Sequence, residues 1–298
     1  MKPWSTPPVA SVVVPAHDEE ATIAATLAAL DMGCDTDTGA GALEVVVVCN
    51  GCSDATADIA RATGAEVVEM TTASKIEALR EGDRRSRVFP RIYLDGDVQL
   101  SPGAARGLAA AVSMPGTLVA GVRPRMDLSA SSPTVRRYYD FRQRLPVMQH
   151  GVIGAGVYAL SAEGRARFGT WPDILGDDQF VFRLFTDSER ATLDGYHSVV
   201  VAPPDVRTIF RRGIRIRRGN RELTDGGAGF HLPPPPTGLV TALAGSLRFP
   251  ARWPGMVTWL TINVGIRLVA RWRPRSGDWR AAQQPHRVDD PPYEATSP

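Results

Sequence analysis

The chain has 298 residues, 43% of them hydrophobic and 22% charged. That is ordinary globular composition, enough for one large domain or two small ones. A net charge of +2 provides no global field for nucleic acid. Of the 34 basic residues, only Lys2 and Lys75 are lysines. Lys75 therefore stands out in a chain that uses arginine almost everywhere else.

Three cysteines, Cys34, Cys49 and Cys52, form no disulfide framework and point to a reducing, cytoplasmic compartment. Cys49-x-x-Cys52 closes a strand without the sequence context of a redox pair. The N-terminus has no apolar run of signal-peptide length. No stretch of roughly 18 uncharged apolar residues reads as a spanning helix.

The first 125 residues alternate β-branched runs with Ala-rich helical patterns. Val12–Val14 forms a strand ending at Pro15. Asp18, Glu19 and Glu20 are expected to open a helix at its positive end, with Ile23, Leu27 and Leu30 as its buried stripe. Leu43–Val48 reads as a strand buried on both faces. Ser53 is the expected cap of the next helix and Gly64 its end. Glu66–Glu69 is a strand. Ser74-Lys75-Ile76-Glu77 has capping-box spacing. Arg91–Leu94 is a strand, and Ser101-Pro102 opens a helix. This order predicts an α/β doubly wound, mostly parallel sheet with helices on both faces.

In such sheets the carboxyl ends of the strands form the ligand crevice. Pro15-Ala-His-Asp-Glu19, Cys49-Asn50-Gly51 and Asp95-Gly96-Asp97 should meet there. Downstream come a Gly-rich run (Gly151–Gly156), an acidic pair (Asp177-Asp178) and a basic run (Arg207–Arg221). Residues 226–237 read as a Gly/Pro-rich linker, 238–273 as an apolar helical extension, and 274–298 as a disordered tail.

Asp95-Gly96-Asp97 delivers two carboxylates from the end of an apolar strand. Mg²⁺ or Mn²⁺ takes few such ligands and completes its shell with phosphate oxygens. It would offset charge on a diphosphate leaving group. Asp177-Asp178 offers a base for an attacking hydroxyl, or alternatively a helix cap. The basic run alternates with Ile214 and Ile216, so only some arginines share a face, and one or two could hold pyrophosphate. Gly154-Ala-Gly156-Val-Tyr-Ala159 matches a dinucleotide fingerprint but follows no good strand and leads into one.

These motifs, taken together and in order, resemble the family 2 glycosyltransferases of the GT-A fold over residues 9–222. Pro15-Ala-His17-Asp18-Glu19-Glu20 is similar to the family's P-x-Y-N-E-E. Asn50-Gly-Cys-Ser-Asp-Ala-Thr56 resembles its second strand end. Lys75-Ile-Glu-Ala-Leu-Arg-Glu-Gly82 resembles K-x-x-A-L-N-x-G. Asp95-Gly96-Asp97 resembles D-x-D, and Gly154-Ala155-Gly156 the acceptor-side Gly-rich strand.

The resemblance implies that Pro15, His17, Glu19 and Asn50 line the nucleoside pocket. It places Lys75, Asp95 and Gly96 by the nucleotide, and Asp97 with Asp95 on Mn²⁺ or Mg²⁺. Asp178, paired with Asp177, would be the base of a single inverting displacement. Arg212 and Arg215 stand where processive membrane synthases carry Q-x-x-R-W. Gln and Trp are missing, which implies transfer of one sugar from a nucleotide-diphosphate donor to a hydroxyl acceptor.

A sugar nucleotidyltransferase would need a Gly-rich loop near the N-terminus, and residues 15–20 contain no Gly. A non-catalytic scaffold would have lost its acidic residues, and Asp97 and Asp178 remain. Within 256–273, Asn263, Arg267 and Arg271 form one polar stripe on an otherwise apolar helix. Trp253, Trp259 and Trp272 suit a membrane interface. The expectation is peripheral attachment at a membrane surface, where a lipid-linked acceptor would meet the site. A helix docked on the catalytic domain is the alternative.

Overall fold

The computed structural model describes residues 8–30, 41–226, 229–230, 232 and 238–272, the last two residues by backbone alone. The tail, most of the linker and Cys34 lie outside these residues. The N-terminal half runs β1 (Ala10–Ala16), α1 (Ile23–Ala29), β2 (Leu43–Asn50), α2 (Thr56–Ala62), β3 (Glu66–Met70) and α3 (Lys75–Arg85). It continues through β4 (Arg91–Leu94), β5 (Val98–Leu100), α4 (Ala104–Val112), β6 (Val119–Asp127) and α5 (Pro133–Arg142). Then follow β7 (Val157–Leu160), α6 (Ala162–Ala166), α7 (Asp177–Leu184) and β8 (Arg190–Val201). The described residues end in three helices, α8 (Val206–Asp225), α9 (Leu239–Leu247) and α10 (Trp253–Trp272).

All eight strands join one sheet in the order β3-β2-β1-β4-β7-β6-β8-β5. β3, β2, β1 and β4 are parallel, as are β6 and β8. β7 runs antiparallel to β4 and β6, and β5 antiparallel to β8. Strand periodicity sorts the core into two layers. Val12, Val14, Val45 and Val47 pack with Ile23, Leu27 and Leu108 on one face. Val13 and Tyr93 face Leu79, Phe180, Ile209 and Ile266 on the other. Gly82 lets α3 come close to the sheet, because a Cβ there would run into the Val13 side chain.

Ser74 caps α3, accepting from Glu77 N at 3.3 Å, and Gly64, at φ +86°, ends α2. Other local expectations fail for identifiable reasons. Helix α1 begins only at Ile23, leaving Asp18–Glu20 in a loop. Their side chains bond across to the next strand end: Asp18 accepts from Ser53 N at 2.7 Å, and Glu20 from Ala55 N at 3.2 Å. Ser53 therefore bonds Asp18 instead of capping α2, while Asp54 accepts from Thr56 N at 3.0 Å. Helix α4 starts at Ala104, after Gly103 in a left-handed conformation. The Gly-rich run is a turn with positive φ at Gly151, Gly154 and Gly156, and β7 begins only after it.

The basic run lies within the 20-residue helix α8, so its arginines share faces at i, i+3 and i+4 and not by alternation with Ile214 and Ile216. Its buried contacts are Ile209, Gly219 and Leu223. Helix α10 docks on α5 and α8 through Met256, Trp259, Ile262 and Ile266. Each such burial is worth roughly 1.5–3 kcal/mol relative to exposure. Trp259 packs on Phe141 at 5.3 Å between ring centroids, so it is a core residue and not an interfacial one. The opposite face of α10 exposes Trp253, Val257, Val264 and Leu268, and α9 exposes Val240 and Leu247. No helix among the described residues is long and apolar enough to cross a membrane. Part of the expected linker is packed, since Phe230 meets Phe180 at 4.9 Å.

Candidate functional site

The carboxyl ends of β1, β2 and β4 lie side by side because the three strands are parallel neighbours. Two hydrogen bonds tie the first two ends together. Asn50 Nδ2 donates to the Ala16 carbonyl at 2.8 Å, and His17 Nδ1 pairs with the Asn50 carbonyl at 2.7 Å. The Asn50 amide is thus committed to the backbone of β1. A carbonyl can only accept, so His17 Nδ1 carries the hydrogen, while Nε2 is buried without a hydrogen-bond partner, 4.0 Å from Asp18 Oδ2. Pro15, one residue before the end of β1, pairs with Val48, and its carbonyl lies against Gly96.

Asp95 follows β4 directly, its N–H donating to the Gly156 carbonyl at 2.8 Å. The Gly96 carbonyl accepts from Thr26 at 2.9 Å, which fixes the turn between the two aspartates. Gly156 is required here: a Cβ would strike Val98 and come within 3.3 Å of Asp95 Oδ2. Lys75, at the first turn of α3, reaches Asp95 Oδ1 at 2.6 Å and Asp177 Oδ1 at 2.8 Å. Burial alone would push this ammonium down. Asp177 and then Asp95 outweigh burial and hold it above the usual lysine range.

The acidic pair divides in two. Asp177 is 5% exposed, with one oxygen on Lys75 and the other accepting from Tyr158 OH at 2.9 Å. Asp178 is half-buried and is held by backbone: Oδ2 accepts from Gly154 N at 2.9 Å and Oδ1 from Gln179 N at 2.7 Å. Burial and the neighbouring Asp177 push its pKa up, against those two donors and Lys75. Asp178 is the more exposed member of the pair.

Negative charge is in excess at the crevice. Asp97 makes no hydrogen bond or ion pair among the described residues. Burial, with help from Asp97, Asp95 and Asp54, pushes Glu19 up to about 7, though Thr22 donates to it at 2.6 Å. Burial likewise pushes Asp95 up to about 6 despite Lys75, with Asp177 and Asp97 adding to the rise. An all-oxygen set under this repulsion fits a hard divalent cation. It is not a closed cage. Among the described residues, the one group of three metal-ligating atoms within 4.8 Å of one another is His17, Asp18 and Cys52.

Arg212 and Arg215, at i and i+3 on α8, share a side of the helix. Arg215 keeps solvent contact, yet its surroundings and then Arg212 push its pKa down, while Asp95 pulls it back up. Its charge therefore reaches the DGD crevice. Cys49 and Cys52 are free thiols, and the Cys49 hydrogen bond pushes Cys52 down to about 7.

One buried cluster had no motif to reveal it. Asp83 accepts from Arg91 at 2.8 Å, Tyr93 OH at 2.7 Å, Arg165 at 2.8 Å and Trp171 Nε1 at 2.8 Å. It ties α3 to β4, α6 and the segment before α7, behind Lys75 and Asp177.

Residues 11–160 match the model of Glycosyl transferase family 2. No curated protein sequence matches significantly. Solved structures share the fold. A mannosyltransferase from Pyrobaculum calidifontis, solved with GDP-Man and Mn²⁺, is 20% identical with a TM-score of 0.55, over 94% of this chain and 81% of its own. Glucosyl-3-phosphoglycerate synthase from Mycobacterium tuberculosis, solved with Mn²⁺, UDP and its product, is 21% identical with a TM-score of 0.50, over 74% of this chain and 80% of its own. The G-x-G-x-x-A run leads into β7 and opens no helix, so the dinucleotide reading fails. With half the chain matched and the crevice built at the expected strand ends, this protein belongs to glycosyl transferase family 2 and is a glycosyltransferase.

Proposed function

We propose that the enzyme moves a single sugar from a nucleotide-diphosphate donor to a hydroxyl acceptor, with inversion. The observation that carries this reading is the pose of Asp178. It is a half-buried carboxylate with raised proton affinity, oriented by two backbone N–H groups, next to the Asp177 that Lys75 joins to Asp95. Asp178 takes the proton of the acceptor hydroxyl as that oxygen attacks the anomeric carbon. The nucleoside diphosphate leaves from the opposite face, which inverts the centre.

Asp97, with Asp95, would hold Mn²⁺ or Mg²⁺. Bound together with the donor phosphates, such a cation offsets the charge that grows on the leaving group. Pro15, His17, Glu19 and Asn50 form the rim for the nucleoside. Arg215, which feels Asp95, and Arg212 beside it on α8 would meet the diphosphate, which guanidinium groups suit. Lys75 keeps Asp95 and Asp177 in place, and Gly154, Ala155 and Gly156 shape the acceptor side.

The exposed faces of α9 and α10 support attachment to a membrane surface. Exposed apolar side chains recur along both helices, from Val240 to Leu268, with Arg248, Arg252 and Arg267 between them in sequence. Docking of α10 and lipid contact are compatible, because they use opposite sides of the helix. The acceptor would then be lipid-linked or presented at the bilayer surface.

The test is nucleotide release from a panel of UDP- and GDP-sugars with Mn²⁺, with proton NMR of the product's anomeric centre. A product of opposite anomeric configuration to the donor is expected. A retained configuration would sink the single-displacement mechanism.

A further inference from the structure

Beside Asp178 stands a cation that no step above uses. Helix α5 ends at Arg142, and its guanidinium reaches the Gly154 turn. A methyl group at Gly154 would meet Arg142 Nη2 at 3.4 Å. Gly154 is also the residue whose N–H orients Asp178. The guanidinium and the base therefore flank the same glycine.

The Arg142 side chain is half-buried and makes no hydrogen bond or ion pair among the described residues. Its one aromatic contact is Tyr139, 5.5 Å from guanidinium carbon to ring centroid. Other arginines of this chain at similar depth are committed: Arg80, Arg91 and Arg165 each hold a carboxylate. A partly desolvated charge without a counter-ion is costly unless a ligand supplies one.

Arg142 also lines a cavity of about 210 Å³, with Arg123, Gln143, Met148 and Gln149 among its walls and no acidic residue. The Gln143 side-chain amide makes no hydrogen bond among the described residues either. Tyr139 feels positive charge from two sides, Arg142 and Arg212. Arg212 in turn acts on Arg215, which acts on Asp95. Positive charge thus runs from the donor crevice to the cavity beside the base. Arg123 is held by Asp194 at 2.7 Å, so Arg142 is the guanidinium of this wall left to a ligand, and it matches a group that only accepts, namely a phosphate or carboxylate, and not a neutral polyol.

We infer that the acceptor carries an anionic group near the hydroxyl that Asp178 deprotonates, and that Arg142 holds this anion. The inference rests on the transfer reaction proposed above and names the acceptor's chemical class. Anchoring the anion fixes the hydroxyl against Asp178, which is how remote binding serves orientation.

The full chain, saturated with UDP or GDP and Mg²⁺, is titrated with inorganic phosphate by calorimetry. Wild type, Arg142→Ala and Arg142→Lys are compared, with nucleotide affinity measured alongside as a folding control. Phosphate should bind the nucleotide-loaded wild type. Arg142→Ala should weaken it by roughly 10-fold or more, the size of one or two charge-assisted hydrogen bonds, and Arg142→Lys by less.

A parallel arm uses vesicles of phosphatidylcholine with and without phosphatidic acid. Loss of the phosphatidic acid increment in Arg142→Ala assigns a lipid headgroup, and loss of phosphate binding alone assigns a soluble acceptor. Equal behaviour of wild type and Arg142→Ala in both arms overturns the inference, as does phosphate that merely competes with nucleotide. If wild type binds no nucleotide, the transferase reading itself falls, whatever phosphate does.

Discussion

The Lys75 ammonium lies 2.8 Å from Asp177, the buried carboxylate that precedes Asp178 at the start of α7. With Asp95 at 2.6 Å on its other side, Lys75 joins the donor carboxylates to the helix that carries Asp178. A compact ammonium on a flexible stem gives both carboxylates a close point-charge contact, where a guanidinium would place a larger planar fork. That accounts for a lysine in a chain built almost entirely with arginine.

Lys75→Met leaves Asp95 and Asp177 facing one another without a counter-ion. Removing one partner of a buried ion pair costs about 3–5 kcal/mol, and the solvent contact of Asp95 favours the lower end. Urea unfolding should show that loss, and Lys75→Arg should not restore it. A variant as stable as wild type would show that the bridge holds nothing together.

Asp178→Asn should lower kcat by about 10²–10⁴-fold while changing donor affinity only a few-fold. The substitution keeps one acceptor oxygen for the N–H groups of Gly154 and Gln179 and removes the proton-accepting charge. Stopped assays beside donor calorimetry separate the two quantities. Turnover within a few-fold of wild type would remove Asp178 from the mechanism.

Donor affinity should depend on Mn²⁺ or Mg²⁺ through Asp97. The measurement is calorimetry on wild type and Asp97→Ala, each with metal and with EDTA. Wild type with metal should bind donor tightest, and the other three titrations should be alike. Four equal affinities would contradict a metal at this carboxylate.

Glu19 predicts a pH effect of definite sign. Its folded pKa, about 7, lies above the ordinary 4.5. Between those values the folded protein keeps a proton that the unfolded chain has released, so stability falls as pH rises. The contribution is complete below pH 4.5 and is lost towards pH 7. Asp95, raised to about 6, adds the same sign over its own range. Glu19→Gln, a mimic of the protonated form, should flatten part of the slope of urea midpoint against pH. An unchanged slope would mean that Glu19 does not carry the proton.

The exposed helix face predicts lipid binding. Truncating before α10 would uncover its docking site, so substitutions on the outer face are the cleaner probe. Val257→Glu with Leu268→Glu should abolish flotation of the full chain with anionic liposomes and leave the thermal midpoint within a few degrees. Both positions are more than half exposed, at 56% and 52%. Equal flotation of the two proteins, or none for wild type, ends the membrane reading.

Local chemistry is enough to reveal the alternation of strands and helices, the three strand ends, the Ser74 cap and the DGD carboxylates, because each depends on neighbours a few residues away. The family resemblance followed from those same short motifs. Contacts between distant segments are another matter. Asp18 and Glu20 look like helix-opening carboxylates, but Ser53 and Ala55 N–H groups compete for them across the crevice. The basic run could not be told from a strand by alternation, since its helical face is defined only by the core it meets at Ile209 and Leu223. Asp83 carries no motif, and its role exists only where four distant donors converge. Arg142 is one arginine among many until the fold sets it unpaired beside Gly154. Periodicity and spacing record an element's own geometry, whereas partner choice depends on desolvation and charge fields that arise only once the elements pack.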